Sequence, residues 1–145
     1  MYRRILLPLD GSDVAEQAIP FAVAQAERFR AQLDLLRAVE PIMDPLSLTA
    51  LDDLVQQREE WARDYLESVA TKTRERGIQV RIVVMQEVPH IAITRYAEMN
   101  KVDLIVLCSR GHSGPSRWMM GGVADRVVRG ARVPVLLVRP SKKYH

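Results

Sequence analysis

Four of the chain's seven glycines, Gly111, Gly114, Gly121 and Gly122, fall within twelve positions of one another. They lie in the stretch Cys108-Ser109-Arg110-Gly111-His112-Ser113-Gly114-Pro115-Ser116-Arg117-Trp118, which continues to Gly121-Gly122-Val123. Glycine lets backbone N–H groups come close to an anion. A helix opening near Val123 would aim its positive end at the same place, and Arg110 and Arg117 add charge. This is the composition of a phosphate cradle, and equally of a glycine-rich connection between a strand and a helix. A second polar cluster, Asp10-Gly11-Ser12, follows the apolar run that begins at Ile5. Asp10 reads better as a ligand contact than as a catalyst, because no general base with a convincing partner accompanies it.

Other chemistries lack their patterns. There is no G-x-x-x-x-G-K-[ST], which excludes a Walker-type loop, and no G-x-G-x-x-G follows the first apolar run. Gly111-His112-Ser113-Gly114 lacks the G-x-S-x-G spacing of a nucleophile elbow. His90, His112 and His145 are too scattered for a metal site. The single cysteine, Cys108, rules out an internal disulfide framework and a cysteine-based zinc site. It reads as a small buried residue, with a reactive thiol near a helix N-terminus as the alternative.

These residues need a scaffold, and the hydrophobic pattern supplies one. Ile5–Leu9, Leu33–Val39, Leu104–Cys108 and Val135–Val138 are short apolar runs of the kind that form buried parallel strands. Val80–Met85 carries Arg81 and predicts a more exposed edge strand. Asp13 and Glu16, at capping-box spacing, open a helical pattern through Ala15, Ala18, Ile19, Ala22, Ala26 and Phe29, which Pro20 should kink. The longest amphipathic stretch runs from Leu51 to Val69 and ends before Gly77, with Trp61 and Tyr65 expected in the core. Ile91, Ile93, Tyr96 and Ala97 form a shorter helix entered through Val88-Pro89, and Val123–Ala131 forms the last.

Strands alternating with helices predict an α/β fold: an open, parallel five-stranded sheet with right-handed crossovers and helices on both faces. In such sheets ligands bind beyond the carboxyl ends of the strands, where the strand order reverses. Asp10 and the glycine-rich stretch both follow strands, so both belong to that rim. Glu40–Leu46, with Pro41 and Pro45, is the longest irregular connection.

Length and charge narrow the class. The 145 residues, 48% hydrophobic and 27% charged, suit one domain spanning residues 1–145. Lys and Arg total 21 against 18 Asp and Glu, and they are spread along the chain, which argues against nucleic-acid binding. No stretch approaches the roughly 20 apolar residues of a membrane span. The expectation is a cytoplasmic protein.

The residues also resemble a family. From ILLPLDGSD to ARVPVLLVRP the chain is similar to the universal stress proteins, which carry an acidic residue after the first strand, G-x2-G-x9-G-[ST] after the fourth, and a V-P-V-L-x-V strand near the C-terminus. The resemblance implies a Rossmann-like fold of the adenine nucleotide alpha hydrolase type, strand order 3-2-1-4-5, and a homodimer formed through Val133 to Val138. It also implies ATP or a related adenine nucleotide, with or without Mg2+, at Pro8, Asp10, Val39, Leu107, Cys108, Gly111, Gly121, Gly122 and Val123. Aligned on Gly111 and Gly121, the motif's first glycine is Cys108 and its terminal Ser or Thr is Gly122. Two expectations follow: a nucleotide-binding stress-response module with at most slow hydrolysis, or a dimeric interaction protein with a vestigial pocket.

Overall fold

The computed structural model describes residues 1–42, 48–110 and 120–141. Five strands, β1 (Arg4–Pro8), β2 (Gln32–Val39), β3 (Val80–Gln86), β4 (Leu104–Cys108) and β5 (Val135–Val138), pair in parallel in the order β3-β2-β1-β4-β5. Five helices connect them: α1 (Asp13–Glu16), α2 (Ile19–Phe29), α3 (Leu48–Arg74), α4 (Pro89–Met99) and α5 (Gly122–Gly130). The predicted Rossmann-like α/β sheet and its order are therefore observed, with β3 at one edge as its Arg81 suggested.

The strands' period of two divides the core between the two faces. Ile5, Leu7, Leu33, Leu35, Leu104 and Val106 pack against α1, α2 and α3. Leu6, Leu36, Ile105 and Leu107 pack against α4 and α5. After β1 the chain crosses one face to reach β2 and β3, then crosses the other to reach β4 and β5. The order thus reverses between β1 and β4, and the two strands diverge there beyond their carboxyl ends.

Three local expectations are corrected. The first helix is two helices, because Gln17 and Ala18 separate α1 from α2. Pro20 then falls in the first turn of α2, where its missing N–H has no intrahelical partner to lose. The cap of α1 is Ser12, not Asp13: Ser12 is extended, and its hydroxyl accepts a hydrogen bond from the Ala15 N–H at 3.1 Å. Trp61 is 65% exposed, because the inward stripe of α3 runs through Ala62, Leu66, Val69 and Ala70. Tyr65, at the border of that stripe, is half-buried. Gly77 closes α3 in the left-handed region at φ +82°, its N–H donating to the Arg74 carbonyl.

Among the described residues, one charged side chain is fully enclosed. Asp34 of β2 has no exposed surface and faces α4, where its carboxylate accepts from the Tyr96 hydroxyl at 2.7 Å and the Gln32 amide at 2.6 Å. The Arg4 guanidinium stands 3.7 Å away. Burial and the neighbouring carboxylate push the Tyr96 hydroxyl up to about 12.

Candidate functional site

Beyond the carboxyl ends of β1, β2 and β4 lies a cleft of about 370 Å3. That volume is in the range of small-molecule sites, which begins at about 300 Å3. Pro8, Leu9 and Asp10 form one wall, and Gly121, Gly122, Val123, Ala124 and Arg126 form another. Leu36, Ala38 and Glu40 come from β2 and its exit, Pro89 and Ile93 from α4, and Leu107, Cys108 and Arg110 from β4 and its exit.

Seven of the nine residues expected at a ligand site meet there: Pro8, Asp10, Leu107, Cys108, Gly121, Gly122 and Val123. Gly111 lies outside the described residues, as do His112 and Arg117. Val39 does not line the cleft. Strand alternation gives the cleft Leu36 and Ala38 and turns Val39, which is buried, to the other face of the sheet. Counting by two along β2 would have found Leu36 and Ala38 in the sequence. Ile93 and Pro89 carried no such signal, because their place depends on how α4 docks.

The wall around Asp10 is built locally. The Asp10 carboxylate accepts from the backbone N–H of Ser12 at 2.9 Å and from its hydroxyl at 2.6 Å. The Ser12 hydroxyl in turn caps α1. This aspartate turn requires the intervening residue to fold tightly, and Gly11 does so at φ +87°. Asp10 itself remains exposed at the rim.

The opposite wall is the start of α5. Gly121 is its N-cap, with no side-chain cap, and its N–H donates to the Ser109 carbonyl at 2.7 Å. This bond ties the helix start to the exit of β4. The first-turn amides of Gly122, Val123 and Ala124 have no acceptor within the helix, so the helix presents N–H donors and its positive end. Among the described residues, a Cβ at Gly122 would meet nothing within 4 Å.

Cys108 joins the two walls. Its thiol donates to the Val14 carbonyl of α1 at 3.1 Å, and burial, then the Asp10 charge, push it up to about 11. That direction is opposite to the lowered value a reactive thiolate needs. Among the described residues, no group of three or more His, Cys, Asp or Glu could hold a metal ion, and no helix is long and apolar enough to cross a membrane.

The model of the universal stress protein family matches residues 1–139. A universal stress protein of Thermus aquaticus is 34% identical over 96% of this chain and 100% of its own length. The universal stress protein MJ0531 of Methanocaldococcus jannaschii is 31% identical over 99% of this chain and 85% of its own. Among solved structures, MJ0577 of the same organism superposes with a TM-score of 0.85 at 25% identity, covering 98% of this chain and 99% of that one. Two more distant structures share the fold: a universal stress protein in complex with cAMP, at 22% identity, and one from Archaeoglobus fulgidus in complex with dAMP, at 20%. Their TM-scores are 0.74 and 0.67; the first covers 97% of this chain and 98% of that one, the second 94% and 97%. A match running from the first strand to just past the last, over the same strand order, has one reading: the chain belongs to the universal stress protein family.

Proposed function

We propose that the cleft binds an adenine nucleotide, ATP among them, and that the protein is a stress-response regulatory module with at most slow hydrolysis. The observation that carries this reading is the pairing of Asp10 with the uncapped amino end of α5 across a single cleft. The cleft divides chemically. Leu36, Ala38, Ile93 and Leu107 offer an apolar bed suited to a base, Asp10 an acceptor suited to ribose hydroxyls, and the amides of Gly122 and Val123 donors suited to phosphate oxygens. The family motif assigns Gly111, which lies outside the described residues, to the phosphate contacts as well. Mg2+ would arrive on the nucleotide's own phosphates.

Cys108 fits this assignment. Its thiol points to Val14, so it occupies a glycine's place in the motif while satisfying itself against α1. Titration calorimetry with Mg-ATP tests the reading. Binding is expected, and Gly121→Val, which places a branched side chain at the buried cap, should weaken it. Absence of both heat and thermal shift at millimolar nucleotide would overturn it.

A dimeric interaction protein with a silent cleft is the second reading, favoured by Gly122, which lacks the hydroxyl of the family motif. Either reading includes a cytoplasmic homodimer through Val133 to Val138. β5 is an edge strand, and Val135, Leu136 and Leu137 keep only partial cover within one chain. A partner strand would cover this apolar edge.

A further inference from the structure

The segment that carries Asp10 is held from below as well as from within. β1 and β2 stay paired past the last residue of β1, with the Leu9 N–H donating to the Leu36 carbonyl at 2.9 Å. Arg37 is the next residue on β2, and its side chain lies on the face opposite Leu36 and Ala38, away from the cleft. There the guanidinium sits over the Tyr65 ring of α3, with Cζ 5.4 Å from the ring centroid. It also lies directly against Gly11: a Cβ at that position would run into the Arg37 Nη1 atom. Tyr65 reaches the far end of the same segment, its hydroxyl donating to the Glu16 carboxylate at 2.8 Å. The Asp10 loop and α1 are therefore held at Gly11 by Arg37 of β2, itself seated on Tyr65, and at Glu16 by Tyr65 of α3. The Tyr65 hydroxyl accordingly feels the charges of Glu16, Arg37 and Asp10 together.

We propose that Arg37 is a positioning residue for Asp10: seated between the Tyr65 ring and the Gly11 backbone, its guanidinium fixes the loop after β1 in the geometry the cleft requires. Its ligand consequence rests on the nucleotide reading of the cleft; the clamp itself does not. A planar guanidinium suits this place because it can lie flat on an aromatic face while its edge meets the backbone. Gly11 suits it because any larger residue would have to displace the guanidinium from the ring.

Two amides report on the clamp. The Ser12 N–H is protected by Asp10, and the Ala15 N–H by the Ser12 hydroxyl, so hydrogen exchange at both reads the loop geometry in nucleotide-free protein. Arg37→Met keeps the aliphatic stem and removes the guanidinium. It should speed exchange at Ser12 and Ala15 about tenfold while the amides of β1 and β2 stay as in the parent protein. Tyr65→Phe keeps the ring beneath Arg37 and should leave both amides within about twofold of the parent, whereas Tyr65→Leu should reproduce Arg37→Met. A loss that merely destabilised the fold would speed exchange in the strands too, and Tyr65→Phe would not rescue it. Mg-ATP titration supplies the second readout, with Arg37→Met expected to weaken binding about tenfold. Unchanged exchange at Ser12 and Ala15 in Arg37→Met would overturn the clamp, and faster exchange with unaltered affinity would overturn its role in placing Asp10. If the parent protein binds no nucleotide, the reading of the cleft fails while the exchange experiment still decides the clamp.

Discussion

Gly122→Ser is the perturbation with the most to reveal about the cleft. Gly122 is the first residue of α5, at the place where the family motif carries a hydroxyl, and no atom of the described residues lies within 4 Å of its missing Cβ. Serine therefore enters without displacing any of the described residues. A hydroxyl that reaches a phosphate adds one hydrogen bond, worth about 0.5–1.5 kcal/mol net, or roughly two- to twelvefold in affinity. Replacing glycine in a compatible backbone also stabilises the fold, by about 0.4–1 kcal/mol, through loss of unfolded-state freedom. Gly122→Ala separates the two effects, because it shares the backbone gain and lacks the hydroxyl. Calorimetric titration with Mg-ATP should thus show tighter binding for serine alone, while thermal melts show similar gains for both variants, about 1–4 °C. If serine raises the melting temperature as alanine does but leaves affinity unchanged, no phosphate sits at the α5 terminus.

Four further outcomes are expected. Cys108 should react slowly with a thiol reagent at neutral pH in the folded protein and quickly after unfolding; equal rates would contradict its burial and its raised ionisation. Because folding raises the Cys108 value from 9.0 to about 11, the unfolded chain sheds this proton first, so stability should fall as pH rises across that window. The fall should be shallower in Cys108→Ala, as measured by urea unfolding at several pH values. Tyr96→Phe deprives the enclosed Asp34 of a donor and should cost about 1.5–3 kcal/mol by urea unfolding, with affinity for Mg-ATP little changed. Leu137→Lys places a charge on the outer strand and should halve the mass seen by light scattering; an unaltered soluble dimer would refute the β5 interface.

Much of the fold was legible because its signals are local. β4 and β5 match their apolar runs residue for residue, since continuous Val, Ile and Leu bounded by polar residues admit few other structures. Pro20 is not legible in this way, because a proline in the first turn of a new helix looks, in sequence, like one inside a continuing helix. Trp61 is not legible either, because a one-residue error in phase turns a helical side chain by about 100°. The cleft was half legible: Asp10 and Gly121–Val123 stand where strands end, and glycine and aspartate announce such ends. Arg37, Ile93 and Pro89 could not be found that way, since their roles arise from the docking of α3 and α4 on the sheet. Val39 is the one described residue of the expected set that does not line the cleft, because alternation along β2 turns Leu36 and Ala38 to it.

The enclosed Asp34 also acts as a proofreader of strand register. In the native pairing its carboxylate meets Tyr96, Gln32 and Arg4, all of which can donate. A slip of β2 by one residue would turn the carboxylate to the other face, among the alanines, valines and leucines of α2 and α3. An unpaired buried carboxylate there would cost several kcal/mol, comparable to a substantial share of a small domain's whole stability. An all-leucine strand at this position would pack well in either register. One aspartate makes the misaligned sheet expensive, and so helps fix the register on which the cleft at its far end depends.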